Sequence, residues 1–141
     1  MLVRGGGLTG IYRARPRRGD HGPQEEKMSD ETRDAIQRFH DALNSHDLDA
    51  LGLAVHEGCV FETTDPPDGT RHIGREAVLA ACQEFFAQSP EARFTMEDIV
   101  TVDDRAFVRW RYEWGDGHVR GVDVMRVRDG KVIETFAYVK G

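Results

Sequence analysis

Three very short links, Asp103-Asp104, Gly115-Asp116-Gly117 and Asp129-Gly130, divide the last third of the chain into segments rich in β-branched and aromatic residues. Asp-Gly links of this kind signal hairpins, because tight loops need backbone at positive φ, which Asp and Gly tolerate. The segments run over residues 92–102, 105–114, 118–128 and 131–139. Strands joined so closely must form an antiparallel meander, since a parallel connection needs a crossover of about a dozen residues. Whatever precedes this sheet has to cover one of its faces.

The preceding residues read mainly as helices. Ser29 or Asp30 can cap a helix in which Ile36, Phe39 and Leu43 recur at spacings of three and four, with Arg33, Asp34, Gln37, Arg38 and Asp41 on the other side. Asn44-Ser45-His46-Asp47 ends it and starts a shorter helix carrying Leu48, Leu51, Leu53, Ala54 and Val55. Gly58 interrupts that pattern before Cys59-Val60-Phe61-Glu62, which reads as a short strand, and Thr64-Asp65-Pro66-Pro67-Asp68-Gly69 is loop chemistry. A third helix is expected over 75–88, burying Val78, Leu79, Cys82, Phe85 and Phe86 and ending at Ser89-Pro90. The order predicts an α+β domain over residues 28–141, with N-terminal helices closing over a curved antiparallel sheet.

Residues 1–27 differ in kind. Gly5-Gly6-Gly7, the cluster Arg13, Arg15, Arg17 and Arg18, and Gly19, Gly22 and Pro23 bury little apolar surface, which predicts a disordered tail. Met28 stands where the domain-like sequence begins and offers a second translation start. A net charge of −6 opposes nucleic-acid capture by bulk electrostatics, and no apolar run approaches the roughly 18–20 residues that span a bilayer. Cys59 and Cys82 have no ligand-like spacing and read as free thiols of a cytoplasmic protein. No His-Glu-x-x-His, Gly-x-Ser-x-Gly or phosphate-binding loop occurs, so neither a metal nor a cofactor is expected. Any chemistry would be proton transfer by side chains.

Strand alternation assigns faces. Ala106, Val108, Trp110, Tyr112 and Trp114 share one face of the second long strand, and Val119, Gly121, Asp123, Met125 and Val127 share one face of the third. On the last strand, Val132, Glu134, Phe136 and Tyr138 oppose Ile133, Thr135, Ala137 and Val139. Asp123 is the oddity, because a carboxylate on a core-facing surface is costly unless it is bonded, paired or open to a polar cavity. It reads as a pocket acid, base or anchor, or as a structural partner of an arginine. Trp110 and Tyr112 could wall a pocket or simply pack. Glu62, Trp110, Met125 and Phe136 are the candidate ligand contacts, and His56 and His72 are expected to flank the cavity mouth. His40, His46 and His118, among polar neighbours or beside a turn, are expected at the surface.

Several stretches together resemble the SnoaL-like branch of the nuclear transport factor 2-like superfamily. They are Phe39-His40-Asp41-Ala42-Leu43-Asn44-Ser45-His46-Asp47, Val60-Phe61-Glu62, Ile73-Gly74-Arg75-Glu76-Ala77-Val78, Val108-Arg109-Trp110 and the run from Gly121 to Val132. The resemblance implies a cone-shaped, cystatin-like α+β architecture and a homodimer formed through the outer face of the sheet. Its cavity serves polyketide cyclases, ketosteroid isomerases, hydratases and epoxide hydrolases, and also noncatalytic binders and scaffolds. By that resemblance Asp123 would abstract a proton alpha to a carbonyl of a small hydrophobic ligand, while Tyr112, His56 or His72 would donate to the developing enolate oxygen.

Overall fold

The fold is that of a computed structural model, and the residues described are 23–140. Of the expected tail, residues 1–22 lie outside the described residues, and 23–27 already belong to the first helix. In chain order the elements are α1 (Pro23–Asn44), α2 (Leu48–Ala54), β1 (Val55–Glu62), β2 (Arg71–Ile73), α3 (Arg75–Gln88), β3 (Arg93–Val102), β4 (Arg105–Trp114), β5 (Gly117–Arg128) and β6 (Lys131–Val139).

The first helix starts earlier than the Ser29-Asp30 signal suggests. Pro23 is suited to a first helical position, where its missing N–H costs nothing, and Glu25 and Glu26 in the first turn complement the helix dipole. Ser29 is used elsewhere: its Oγ accepts from the Asp103 backbone N–H at 3.1 Å. Asp47 does cap α2, accepting from the Ala50 N–H at 3.0 Å.

The sheet has six strands in the order β2-β1-β6-β5-β4-β3. Strands β3 to β6 form the expected antiparallel meander. The remainder corrects the expectation of an all-antiparallel, cone-shaped sheet. Strand β1 pairs with β6 in parallel, and β2 adds to its other side antiparallel, so the sheet is mixed. It is also open: β2 and β3 are the two edges, and no pairing joins them among the described residues. The parallel pair is possible because α3 and four strands intervene between β1 and β6, far more chain than a crossover requires.

Helix α1 crosses the inner face of the sheet and is held at three places. Its Thr32 hydroxyl donates to the Asp103 carbonyl (2.6 Å) in the β3–β4 turn, and Arg38 Nη2 donates to the Gly130 carbonyl (3.0 Å) in the β5–β6 turn. At its far end the Asn44 amide mimics a strand neighbour. Its Nδ2 donates to the Phe94 carbonyl (2.7 Å) and its Oδ1 accepts from the Phe94 N–H (2.8 Å), which satisfies backbone groups on the edge strand β3. Asp103 and Asp129 take φ of 55° and Gly130 takes 73°, as the short hairpin links require.

Ile36 and Phe39 of α1, Leu51 of α2, Val78 of α3, and Val108 and Met125 of the sheet meet in one core beneath the helices. Towards the β1 C-terminus and the starts of β3 and β5 the helices and sheet diverge, and a hollow opens between them.

Candidate functional site

The hollow has a volume of about 450 Å³ and lies between α1, α3 and the inward face of the sheet. Phe39, Leu43, Phe61, Phe85, Phe94 and Trp110 make most of it apolar. The aromatic rings brace one another: Phe94 meets Trp110 edge-on at 5.4 Å, and Tyr112 lies 4.7 Å from Phe94 and 5.5 Å from Phe85. Two other depressions, one on the outer sheet face at Glu97, Arg109 and Arg120 and one beside Ser29 and Asp103, are rimmed by exposed charge.

Asp123 projects into this hollow from β5. Its face is fixed by the meander register, in which Val108 pairs with Asp123 and Trp110 with Gly121. Gly121 matters here because it has no side chain. A Cβ at that position would lie 2.5 Å from Trp110 Cζ2 and would collide with the Tyr138 carbonyl oxygen. The bare backbone lets the indole lie across β5 so that Trp110 Nε1 donates to Asp123 Oδ1 at 3.0 Å. Asp123 keeps some accessible surface, yet protein closely surrounds its carboxylate. Burial pushes its pKa up from the ordinary 3.8 to about 7, against smaller opposing effects of the Trp110 and Thr135 hydrogen-bonding groups, which favour the charged form. The arginine pairing weighed from the sequence does not occur, since no ion pair reaches Asp123 among the described residues.

Of the other residues singled out in the sequence, Tyr112, His72, Glu62 and Trp110 line the hollow with Asp123. Glu62 and His72 sit with Thr63 and Thr64 at the β1–β2 end, where Glu62 also pairs with Arg71, whose Nε lies 3.1 Å away. Three others fall elsewhere. His56 accepts from the Gly58 N–H at 3.0 Å and faces Asp129 at 3.8 Å, away from the hollow. Met125 is 1% exposed within the core. Phe136 pairs with Val124 on the outer face and lies beneath the Arg71 guanidinium at 5.7 Å. The error at Phe136 has a physical cause. The β5–β6 register shifts between Arg126 and Val127, and the inward residues of β6 are Val132 and then Thr135, so strict alternation from Val132 selects the wrong face.

Sequence reasoning missed Thr135, Ala137 and Val139, which face the hollow from β6, and above all His40. Expected at the surface, His40 is buried and belongs to the wall of the hollow. The signal was present: His40 is four residues beyond Ile36 and three before Leu43, within the apolar stripe of α1. Burial lowers its pKa to about 4, partly offset by the neighbouring Asp41 carboxylate. His46, also expected at the surface, stacks on Phe86 at 4.4 Å. Cys82 lines the hollow as well, but burial pushes its thiol up to about 12, which leaves it protonated and unreactive. Cys59 and Cys82 are both free. Among the described residues no group of three or more His, Cys, Asp or Glu is disposed to hold a metal ion, and no helix is long and apolar enough to cross a membrane.

With the fold and site in view, the chain can be set beside known proteins. The family model described as a SnoaL-like domain matches residues 36–135. A nuclear transport factor 2-like protein of unknown function from Mesorhizobium loti is 44% identical over 80% of this chain and 93% of its own, with a TM-score of 0.72. A proposed ketosteroid isomerase from Kribbella flavida is 23% identical, covering 80% of each chain, with a TM-score of 0.71. A proposed polyketide cyclase from Sinorhizobium meliloti is 20% identical over 74% of this chain and 93% of its own, with a TM-score of 0.65. At those last two identities the likeness is one of fold. No curated protein matches the chain.

The raised Asp123 pKa has a stability consequence whose sign is fixed by linkage. Below about pH 4 the carboxyl is protonated whether the chain is folded or unfolded. Between about 4 and 7 the unfolded chain ionises at Asp123 while the folded protein holds the proton, so stability falls as pH rises through that window and levels off above it. Asp123→Asn removes this dependence, and the His40 contribution over the same range is common to both proteins. Urea denaturation is therefore expected to show the variant gaining on the wild type by up to roughly 4 kcal/mol between pH 4 and pH 8. Parallel stability curves for the two proteins would contradict the placement of Asp123.

Proposed function

This chain belongs to the SnoaL-like domain family, and on that footing we propose that it binds a small hydrophobic carbonyl compound in the hollow and moves a proton on it through Asp123. The reaction class is a cofactor-independent isomerisation or cyclisation. The observation that carries this reading is a carboxyl group closely surrounded by protein and bonded to the Trp110 indole in a largely apolar hollow, where burial pushes its pKa up to about 7. A general base works best when its pKa lies near the working pH, because the ionised fraction and the driving force for proton capture are then both appreciable. The apolar walls supply binding energy for a hydrocarbon skeleton.

In this scheme the Asp123 carboxylate takes a proton from the carbon beside the ligand carbonyl, giving an enolate and a neutral carboxylic acid. Tyr112 and His72, both lining the hollow, are the candidate donors to the enolate oxygen. Where the ligand carries a carbon–carbon double bond next to the deprotonated carbon the enolate is a dienolate, and the acid returns its proton to the far carbon of that conjugated system, which completes an isomerisation and regenerates the carboxylate. His56 has no part in this, because it lies away from the hollow. The two relatives described as a proposed ketosteroid isomerase and a proposed polyketide cyclase share the fold, and their named reactions are of this carbonyl type. The free thiols support a cytoplasmic setting.

Deuterium exchange at the positions flanking the carbonyl of 2-tetralone, followed by proton NMR, reads the proposed step directly. Wild-type protein is expected to accelerate exchange, and Asp123→Asn to lose about 10²-fold to 10⁴-fold of that acceleration while remaining folded. Equal exchange rates for the two proteins would sink the proposal.

Assembly rests on a separate observation. Val100, Phe107, Val124 and Phe136 are paired in turn across β3, β4, β5 and β6, forming an apolar row on the outer sheet face. Val100 is 49% exposed and Phe107 43%, more than apolar side chains of a settled monomer surface would favour when contiguous. Two copies meeting across this row give a homodimer. Sedimentation at micromolar concentration is expected to find a dimer for the wild type and a monomer for Phe107→Asp; a wild-type monomer would overturn this arrangement.

A further inference from the structure

His40 is the polar side chain of the hollow whose situation the proton-transfer scheme leaves unused. It is 2% exposed, and neither Nδ1 nor Nε2 has a hydrogen-bond partner. Its neighbours are aromatic: Phe39 meets the ring edge-on at 5.4 Å, and Phe94 at 6.4 Å. Burial this deep keeps the imidazole neutral at pH 7, so it offers one N–H donor and one bare nitrogen acceptor.

Unpartnered polar groups in an apolar enclosure are costly. The cost is recovered when a ligand brings the missing partner. Rotation about χ2 of an imidazole meets broad, shallow wells, so a ring nitrogen can be presented to the hollow while α1 stays where Thr32, Arg38 and Asn44 hold it. Asp123, bonded to Trp110 and projecting from the sheet, and His40, projecting from the helix, lie on different layers of the same hollow. In the scheme above Asp123 works on carbon and the carbonyl oxygen is met by Tyr112 or His72, so a second ligand oxygen is what would partner His40.

We propose that the ligand bears two oxygen functions on its hydrophobic skeleton: the carbonyl worked on by Asp123, and a hydroxyl or second carbonyl that hydrogen-bonds to His40. This rests on the carbonyl-binding reading above and narrows it to a dioxygenated class. His40 is then a specificity residue. A site built to hydrogen-bond a ligand oxygen rejects the analogue that lacks it, because the buried polar group is left unpaired.

The test uses calorimetric dissociation constants for 2-tetralone and for the hydroxy-2-tetralones substituted at ring positions 5 to 8. In the wild type the best hydroxylated compound is expected to bind about tenfold or more tightly than 2-tetralone. That preference, read as the ratio of the two dissociation constants within each protein, disappears in His40→Phe and returns in part in His40→Gln. Imidazole ¹⁵N shifts of His40 in the wild-type protein, which do not depend on any variant folding, are expected to move with the hydroxylated ligand and not with 2-tetralone. Equal affinities in a protein that still exchanges deuterium into 2-tetralone would overturn this inference alone, as would a preference that survives in His40→Phe. Absence of both binding and exchange for every compound would overturn the carbonyl reading and this one together.

Discussion

The hydrogen bond from the Trp110 indole to the Asp123 carboxylate organises the inner face of the sheet, and it exists because Gly121 leaves the indole room to cross β5. An aspartate on that face without a partner would face a desolvation penalty that would favour its expulsion or a local rearrangement. One well-placed N–H offsets enough of the penalty to keep the group in place, but not enough to restore an ordinary pKa. The outcome is a carboxyl that can hold or release its proton near neutrality. That property follows from incomplete compensation, and a stronger partner such as an arginine would abolish it.

The hollow exists because helix α1 is fixed at a distance from the sheet. Contacts at two hairpin turns and at the edge strand tether it along its length, and large aromatic side chains rather than direct backbone approach fill the space near its C-terminus. Phe39, Phe61, Phe94 and Tyr112 prop the layers apart as a braced set of rings. The same helix places His40 in the roof opposite the sheet's carboxylate. Rigid support from the tethers and polar groups on both layers are what a binding site for an oriented small molecule needs.

Much of this was legible in the sequence where local signals decide the outcome. The hairpin links delimited β4 and β6, Arg75 to Gln88 formed α3 as expected, and alternation correctly set Trp110, Tyr112 and Asp123 on one face. Most of the failures share a cause, which is that long-range geometry overrides a local pattern. The parallel partnership of β1 with β6 links residues from opposite ends of the domain, and the three-residue β2 forms only because β1 offers an edge beside it. A register shift misplaced Phe136, and reading polarity from flanking residues instead of the 3.6-residue period misplaced His40. Membership of the SnoaL-like domain family was readable from the matching stretches, whereas the closed cone associated with that resemblance was not what the backbone forms.

Carbon-13 NMR of the protein labelled at the aspartate carboxyl carbon tests the centre of this account most directly. The Asp123 resonance should titrate with a midpoint near pH 7, and the Trp110 indole N–H resonance should move with the same midpoint because the two groups share a hydrogen bond. A midpoint near 4, with an indole resonance indifferent to it, would mean that water reaches the carboxylate freely and that the hollow does not have the character described.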